Sequence, residues 1–362
     1  MKEYMGKKRN KERKLWIAIG AIAVVLAVLL AVNHELVRVI FHSNWDPKVK
    51  LDVSGPWDGG TAYRNLQYAD VSETDYLNLY VPESEAPVPL MILVHGGGFV
   101  FNDCESRQAQ LMYQFFRDHG YACATVNYRL AQEAPFPGAV EDVKAAIRYL
   151  RANADRYGYR PDHFVIWGES AGGYLAVMAG VTEDGEFDSL PFIGEEQLDQ
   201  PISSEVSVIL DFYGVAEFQS KEERLAEFRA LHIPGFVASL ANTWMSDALK
   251  DYPEYDSMED FWLRKHLSAL TEEEKREFSP AYYIQKNLDA DSDPDVLIWH
   301  GDADITVPWT QSQRLYESLC AALGENRTEL TYFRNCKHAG ERFYSDKSLE
   351  ALKEYLDGII GL

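Results

Sequence analysis

Residues 164–174 read FVIWGESAGGY, which is a short apolar run, a glycine-rich turn and the beginning of a helical pattern. The turn from Gly168 to Gly172 matches the pattern G-x-S-x-G, which on its own recurs by chance. Its setting between a strand and a helix is the one that a nucleophilic serine needs, because a sharp turn exposes the hydroxyl group at the end of a sheet. Glycines suit such a turn because they carry no Cβ atom that would clash there. The sequence therefore predicts that Ser170 is a nucleophile.

The rest of the chain from Tyr76 onward alternates short apolar runs with helical patterns, as expected of βαβ units that build a mostly parallel sheet. The predicted strands are Tyr76–Val81, Leu90–Val94, Tyr121–Asn127, Phe164–Trp167, Val206–Phe212, Val296–Trp299 and Leu330–Phe333. The predicted helices are Gln108–Asp118, Val140–Tyr157, Tyr174–Ala179, Thr310–Leu323 and Leu349–Ile360. This pattern predicts an α/β fold with a central sheet flanked by helices.

One long segment, about residues 216–280, interrupts the alternation with helical patterns, many aromatic residues and many acids. A connection of this length inside a compact sheet is usually functional or an inserted subdomain. We expect an inserted helical lid whose aromatic side chains cover an apolar pocket. The alternative is a small satellite core without contact to substrate.

A second glycine-rich turn, His95-Gly96-Gly97-Gly98, follows the predicted strand 90–94. Acyl transfer passes through an oxyanion, and backbone N–H groups aimed at it contribute strongly to catalysis. We expect the N–H groups of Gly97, Gly98 and Ala171 to form this oxyanion hole, and His95 to brace the loop without reacting. A simple glycine hinge is the alternative.

A general base and an acid that orients it are predicted after the last two strands. Asp302 and Asp304 both follow the strand 296–299, and an acid there can hold the tautomer of a catalytic histidine. Asp304 is favoured because it lies further into the loop, directly before a Val-Pro pair. His338 follows the final predicted strand in a polar, glycine-bearing loop, so we expect it to be the base.

These motifs resemble those of the α/β-hydrolase esterases, and within them the hormone-sensitive-lipase-like branch. The most specific matching segments are HGGGF at 95–99, NYRL at 127–130, PFP at 135–137, EDV at 141–143 and GESAGG at 168–173. The loop at 300–304 is similar to the acid loop of that family, which also favours Asp304. The chain order Ser170, Asp304, His338 is the order of this fold. The resemblance implies a serine carboxylesterase that needs no metal and no organic cofactor.

The N-terminal region carries a separate signal. Residues 15–32 contain no charge and would span about 27 Å as a helix, enough for a bilayer core. Residues 1–14 before them are basic, which predicts a cytoplasmic N-terminus. We expect a transmembrane signal anchor at 15–32, a stalk at 33–55, and an exported catalytic domain at 56–362; a cleaved signal peptide is the alternative.

The charge of the chain argues against some classes of binding partner. The net charge is −22 in spite of the basic tail, so the body of the chain repels phosphate backbones and nucleic acid binding is not expected. The predicted function is a membrane-anchored esterase of small or carbohydrate-linked acyl esters. An amidase or peptidase on the same fold, or a non-catalytic adhesion protein, are the alternatives. The acyl and alcohol groups, the oligomeric state and a disulfide between Cys320 and Cys336 remain open at this point.

Overall fold

The computed structural model describes residues 59–233, 249–291 and 294–361. The predicted basic tail, the apolar segment 15–32 and the stalk lie outside these described residues. Across the three described ranges, no helix is both long enough and apolar enough to cross a membrane.

A single eight-stranded sheet forms the centre of the described chain, with its strands in the order β1-β2-β4-β3-β5-β6-β7-β8. The strands are β1 (Gly60–Gln67), β2 (Tyr76–Pro82), β3 (Val88–Val94), β4 (Ala122–Val126), β5 (Tyr159–Glu169), β6 (Val208–Phe212), β7 (Asp295–Gly301) and β8 (Thr328–Phe333). Strand β2 pairs antiparallel with β1 and β4, and the strands from β4 to β8 in this order are mutually parallel. The predicted mostly parallel sheet is confirmed.

The described helices connect these strands and cover the sheet. They are α1 (Arg107–Asp118), α2 (Gly138–Ala152), α3 (Ala154–Tyr157), α4 (Ala171–Val181), α5 (Lys221–Ala230), α6 (Met258–Leu263), α7 (Glu272–Arg276), α8 (Pro280–Asn287), α9 (Thr310–Leu323) and α10 (Asp346–Ile360). Strand β3 shows why both faces need a cover: Leu90 and Ile92 pack into one hydrophobic core, and Met91 packs into the other. Such two-sided burial is typical of parallel strands.

Three details differ from the prediction. The edge strand β1 was missed, because most of its residues are exposed and its sequence has no apolar alternation. The predicted helix Val140–Tyr157 is two helices, interrupted at Asn153, and it ends at Gly158 in the left-handed conformation. Strand β5 extends from Tyr159 to Glu169 and so reaches the residue directly before Ser170.

The long segment 216–280 forms α5, α6 and α7 in its described parts. Its aromatic side chains are mostly packed into hydrophobic cores instead of facing an open pocket: Phe218, Phe261, Trp262 and Phe278 belong to the main core, and Phe228 belongs to a small separate cluster. Phe236 and Trp244 of this segment lie outside the described residues. The described parts of the segment are thus packed into the domain.

All four cysteines of the chain are free thiols. Cys104, Cys123 and Cys336 are buried, and Cys320 is partly exposed. The bridge between Cys320 and Cys336 that the sequence left open is not formed.

Candidate active site

The turn between β5 and α4 places Ser170 in a strained conformation, with φ 56° and ψ −120°. A positive φ is costly for a residue with a side chain, and such strain is found mainly where a structure uses it. The backbone N–H of Ser170 donates to the carbonyl of Phe212 at the end of β6, which fixes the turn. The side chain is therefore held at the carboxyl edge of the sheet.

Close packing around this turn explains its glycines. A Cβ atom at Gly168 would overlap the carbonyl oxygen of Gly172, and a Cβ atom at Gly172 would overlap the carbonyl oxygen of Val94. The turn, the start of α4 and the end of β3 are thus in backbone contact, which only glycine permits.

The loops after β7 and β8 bring two further side chains to Ser170. His338 Nε2 lies 2.9 Å from Ser170 Oγ, and His338 Nδ1 lies 2.6 Å from Asp304 Oδ2. The carboxyl ends of parallel strands meet at one edge of the sheet, so loops that are distant in sequence converge there. With a neutral imidazole, the Ser170 hydroxyl donates to Nε2 and Nδ1–H donates to the carboxylate.

The two candidate acids have different partners. Asp304 is fully buried, and its Oδ1 accepts hydrogen bonds from the N–H groups of Thr306 and Val307 at 2.7 and 3.0 Å. Asp302 instead accepts the N–H of Asn335 at 2.6 Å. Of the two, Asp304 is the one brought to His338.

Electrostatics keep Asp304 ionised. Burial alone would raise the pKa of its carboxyl, but His338, and also His300, more than offset this and hold the pKa far below its usual value. For His338, burial lowers the pKa, whereas Asp304 and Glu169 raise it, so that the net pKa lies above its ordinary value. A base whose pKa is raised in this way accepts a proton more readily.

The glycine loop after β3 lies beside the turn of Ser170. Gly97 and Gly98 have φ values of 118° and 58°, which favour glycine. Within the described residues, no backbone carbonyl accepts a hydrogen bond from the N–H of Gly97, Gly98 or Ala171. These are the three groups predicted to bind an oxyanion, and they belong to the loop and the helix start that flank Ser170.

His95 supports this loop from within. Its ring is buried and stacks on Tyr128 with centroids 4.3 Å apart, and Nδ1 contacts the carbonyl oxygen of Gly96 at 2.8 Å. Burial lowers the pKa of His95 to about 4, which keeps the ring neutral. This arrangement fits a bracing role.

Two residues of the site were not predicted. Glu169 is buried and accepts the N–H of Gly96 at 2.9 Å, so it ties the turn of Ser170 to the glycine loop. His300 is buried behind Asp304, with Nε2 3.3 Å from Asp304 Oδ2. The sequence features that could have indicated them were the position of Glu169 next to the serine and the position of His300 at the end of a buried strand.

One group in the described residues has metal-ligand chemistry: Asp256, Asp260 and His266, whose ligand atoms lie within 4.8 Å of one another. Asp256 and His266 are exposed, and Asp260 Oδ1 already accepts the N–H of Leu267 at 2.9 Å. Exposed acidic groups of this kind are common without a metal, and this one belongs to the segment 216–280 and not to the triad.

The chain matches one protein family and several known esterases. Residues 77–319 match the BD-FAE family. Esterase LipC of Mycobacterium tuberculosis is 26% identical over 248 residues, which cover 68% of this chain and 51% of LipC, so the chain spans about half the length of that relative. Esterase LipQ of the same organism is 24% identical over 303 residues, which cover 82% of this chain and 62% of LipQ.

Solved structures of esterases are similar to this chain in fold. A truncated carbohydrate esterase from gut microbiota matches with a TM-score of 0.64 and 24% identity, over 83% of this chain and 97% of that chain. The butyrate-bound esterase Est2 of Thermogutta terrifontis matches with a TM-score of 0.58 and 22% identity, over 86% of this chain and 98% of that chain. These likenesses confirm the predicted α/β fold with a central sheet flanked by helices.

Proposed function

The chain belongs to the BD-FAE family of α/β-hydrolase esterases, and on this basis we propose that it hydrolyses carboxylic esters with Ser170 as the nucleophile. The observation that carries the proposal is the continuous chain of contacts from Asp304 through His338 to Ser170, at 2.6 and 2.9 Å. These distances suit proton transfer from the serine to the histidine.

In the first half of the reaction, His338 Nε2 takes the proton of Ser170 Oγ while Oγ forms a bond to the acyl carbon. The carbonyl oxygen becomes an oxyanion, which accepts hydrogen bonds from the N–H groups of Gly97, Gly98 and Ala171. Asp304 stabilises the imidazolium that forms. Collapse of this intermediate expels the alcohol, which takes the proton from Nε2 and leaves an acyl group on Ser170.

In the second half, water replaces the alcohol. His338 Nε2 takes a proton from the water as its oxygen attacks the acyl carbon, and the same N–H groups bind the second oxyanion. Collapse returns the proton to Ser170 Oγ and releases a carboxylic acid. This cycle requires no cofactor and no metal.

The substrates that we propose are small or carbohydrate-linked acyl esters. The support is the likeness to a carbohydrate esterase together with the acidic balance of the chain, which disfavours strongly anionic substrates. We propose that the segment 216–280 acts as a lid in the sense of a packed cover, since Met258 and Trp262 hold it against the glycine loop beside the acyl site.

We also propose that residues 15–32 anchor the protein in a membrane, with residues 1–14 cytoplasmic, residues 33–55 as a stalk and the catalytic domain from residue 56 exported. The uncharged length and the basic flank of this segment support the anchor. Carbonate extraction of membranes, followed by protease protection, tests it: full-length protein that leaves the membrane fraction in alkaline carbonate would refute an integral anchor.

The catalytic proposal is tested with Ser170→Ala in the full chain, with Ser84→Ala as the control because Ser84 lies in the exposed loop between β2 and β3. Ser170→Ala should abolish hydrolysis of short p-nitrophenyl esters and labelling by a fluorophosphonate probe, while Ser84→Ala should keep both. Ester activity that survives Ser170→Ala would refute the nucleophile. Faster turnover of anilides than of matched esters would instead favour an amidase, and an unlabelled wild type would favour a non-catalytic protein.

A further inference from the structure

A second histidine contacts the acid of the triad. His300 lies near the end of β7 and is fully buried. Its Nε2 lies 3.3 Å from Asp304 Oδ2, the same oxygen that His338 Nδ1 contacts at 2.6 Å. Asp304 is therefore held between two imidazole rings.

The surroundings of His300 define where its hydrogen lies. Nε2 is 3.1 Å from the carbonyl oxygen of Val307, which can only accept, so Nε2 carries the hydrogen and donates it to Val307, while Asp304 Oδ2 lies 3.3 Å from the same nitrogen. Nδ1 lies 2.6 Å from Oγ of Ser312, a fully buried residue of α9. The Val307 carbonyl thus selects the Nε2–H tautomer, and the neutral ring accepts the Ser312 hydroxyl hydrogen at Nδ1.

The Asp304 carboxylate has polar groups at both oxygens. Oδ1 accepts the N–H groups of Thr306 and Val307, Oδ2 accepts the Nδ1–H of His338, and Nε2 of His300 lies 3.3 Å from Oδ2. A carboxylate has about four lone-pair sites. Rotation of the group would therefore leave a buried charge short of polar partners, which is costly.

We propose, on the basis of the proposed function, that His300 is a positioning residue for the reaction. Its Nε2–H, next to the carboxylate, favours ionised Asp304 and keeps Oδ2 directed at His338 Nδ1, while Ser312 holds the ring at Nδ1. The chain of polar contacts thus extends through five side chains, in the order Ser312, His300, Asp304, His338 and Ser170.

The proposal predicts which substitutions lower activity. His300→Leu removes the donor and leaves Asp304 under-bonded, so kcat should fall by about ten- to a hundredfold. KM should change little because His300 is buried behind the acid. His300→Gln can place an amide N–H near the position of Nε2 and should recover most of kcat. Ser312→Ala removes only the hydrogen bond that holds the ring at Nδ1, so its loss of kcat should be smaller, about two- to tenfold.

The experiment measures kcat and KM of the full-length variants on p-nitrophenyl esters, with Thr328→Val as the control for loss of a buried hydroxyl remote from Asp304. Circular dichroism monitors folding. One-dimensional proton NMR monitors the low-field resonance of the His338 Nδ1–H that bonds to Asp304. If His300 had a purely structural role, this resonance would be unchanged in any folded variant.

The expected result is a lower kcat and a shifted or missing low-field resonance in His300→Leu, with both recovered in His300→Gln and with Thr328→Val at wild-type values. A folded His300→Leu with wild-type kcat would overturn the proposal, as would a folded His300→Gln as impaired as His300→Leu. If His300→Leu does not fold, Ser312→Ala decides, and an unchanged kcat and resonance there would overturn the proposal. If the proposed function itself were wrong, the wild type would not hydrolyse esters, and this outcome is distinct from a failure of the proposal on His300.

Discussion

Phe99 and Trp262 stack with their ring centroids 3.9 Å apart and their planes 2° apart. Phe99 directly follows the glycine loop and itself has φ 66°, whereas Trp262 lies on α6 of the long segment 216–280 and is fully buried. A Cβ atom at Gly98 would overlap the side chain of Met258, at the start of the same helix. The glycine loop is thus backed by the inserted segment, so the conformation of one depends on the other.

We therefore expect Trp262→Ala to affect both stability and catalysis. Loss of this buried ring should lower the free energy of unfolding by about 3–5 kcal/mol, as for other large-to-small core changes. It should also lower kcat, because Phe99 no longer has a flat surface that fixes the glycine loop. Denaturant unfolding and ester kinetics measure the two effects. Tyr282→Ala, which removes an exposed ring, is the control. Wild-type kcat in a destabilised Trp262→Ala would show that the loop does not need this support.

The identity of the acid gives a second prediction. Asp304→Asn should lower kcat by about 10³–10⁴-fold, because the amide cannot stabilise the imidazolium of His338 and favours the wrong tautomer. Asp302→Asn should change kcat only slightly, because Asp302 contacts the N–H of Asn335, and an amide oxygen can accept that bond as well. Steady-state kinetics of the two variants side by side measure the difference. A larger loss for Asp302→Asn would reverse the assignment of the acid.

The sequence was sufficient for those parts of the site that depend on local patterns. The turn around Ser170 could be predicted because its glycines and its position between strand and helix lie within eleven residues. The edge strand β1 could not, since it is stabilised by pairing with β2 and not by an apolar face of its own. The aromatic residues of the segment 216–280 were expected to line a pocket, but composition does not tell a pocket wall from a core.

The roles of Glu169 and His300 depend on convergence of distant segments. Glu169 matters because Gly96, 73 positions earlier, donates to its carboxylate. His300 matters because its ring contacts Asp304, Val307 and Ser312, and its position near the end of a buried strand does not by itself identify these partners. Burial and hydrogen-bond partners had to be seen before either residue could be included.

Glu169 provides a prediction on pH dependence. The pKa of His338 lies above its ordinary value because Asp304 and Glu169 outweigh the effect of burial. The base must be neutral to accept a proton, so kcat/KM should rise with pH through this pKa. Glu169→Gln keeps an acceptor for the N–H of Gly96 but removes one negative charge near His338. The pKa of His338 should therefore fall, and the acidic limb of the profile should move to lower pH.

The measurement is the pH profile of kcat/KM for the wild type, Glu169→Gln and Glu329→Gln, the last being an exposed charge change on β8. Only Glu169→Gln should shift the acidic limb. A shift to higher pH, or equal shifts in both variants, would show that Glu169 does not act on His338 through its charge.

Asp211 leads to the final prediction, which concerns stability. This fully buried residue of β6 lies under the nucleophile turn, where a Cβ atom at Gly173 would overlap its Oδ1. Burial raises the pKa of its carboxyl to about 7, against an opposing effect of the Gly214 N–H. Between about pH 4 and 7 the folded protein therefore holds a proton here that the unfolded chain releases. Stability must then fall as pH rises, by up to about 1.4 kcal/mol per pH unit.

Asp211→Asn removes this titration while keeping a neutral side chain of nearly the same shape. Its melting temperature should match that of the wild type near pH 4 and exceed it increasingly up to about pH 7. At higher pH the difference should stay constant, because Asp211 is then ionised in both the folded and the unfolded wild type. Calorimetry across this range measures the difference, with Asp70→Asn as the exposed control. A difference that stays constant from pH 4 to 8 would mean that Asp211 does not titrate in this window, and a variant that is less stable at pH 8 would mean that the ionised carboxylate is stabilising in the fold.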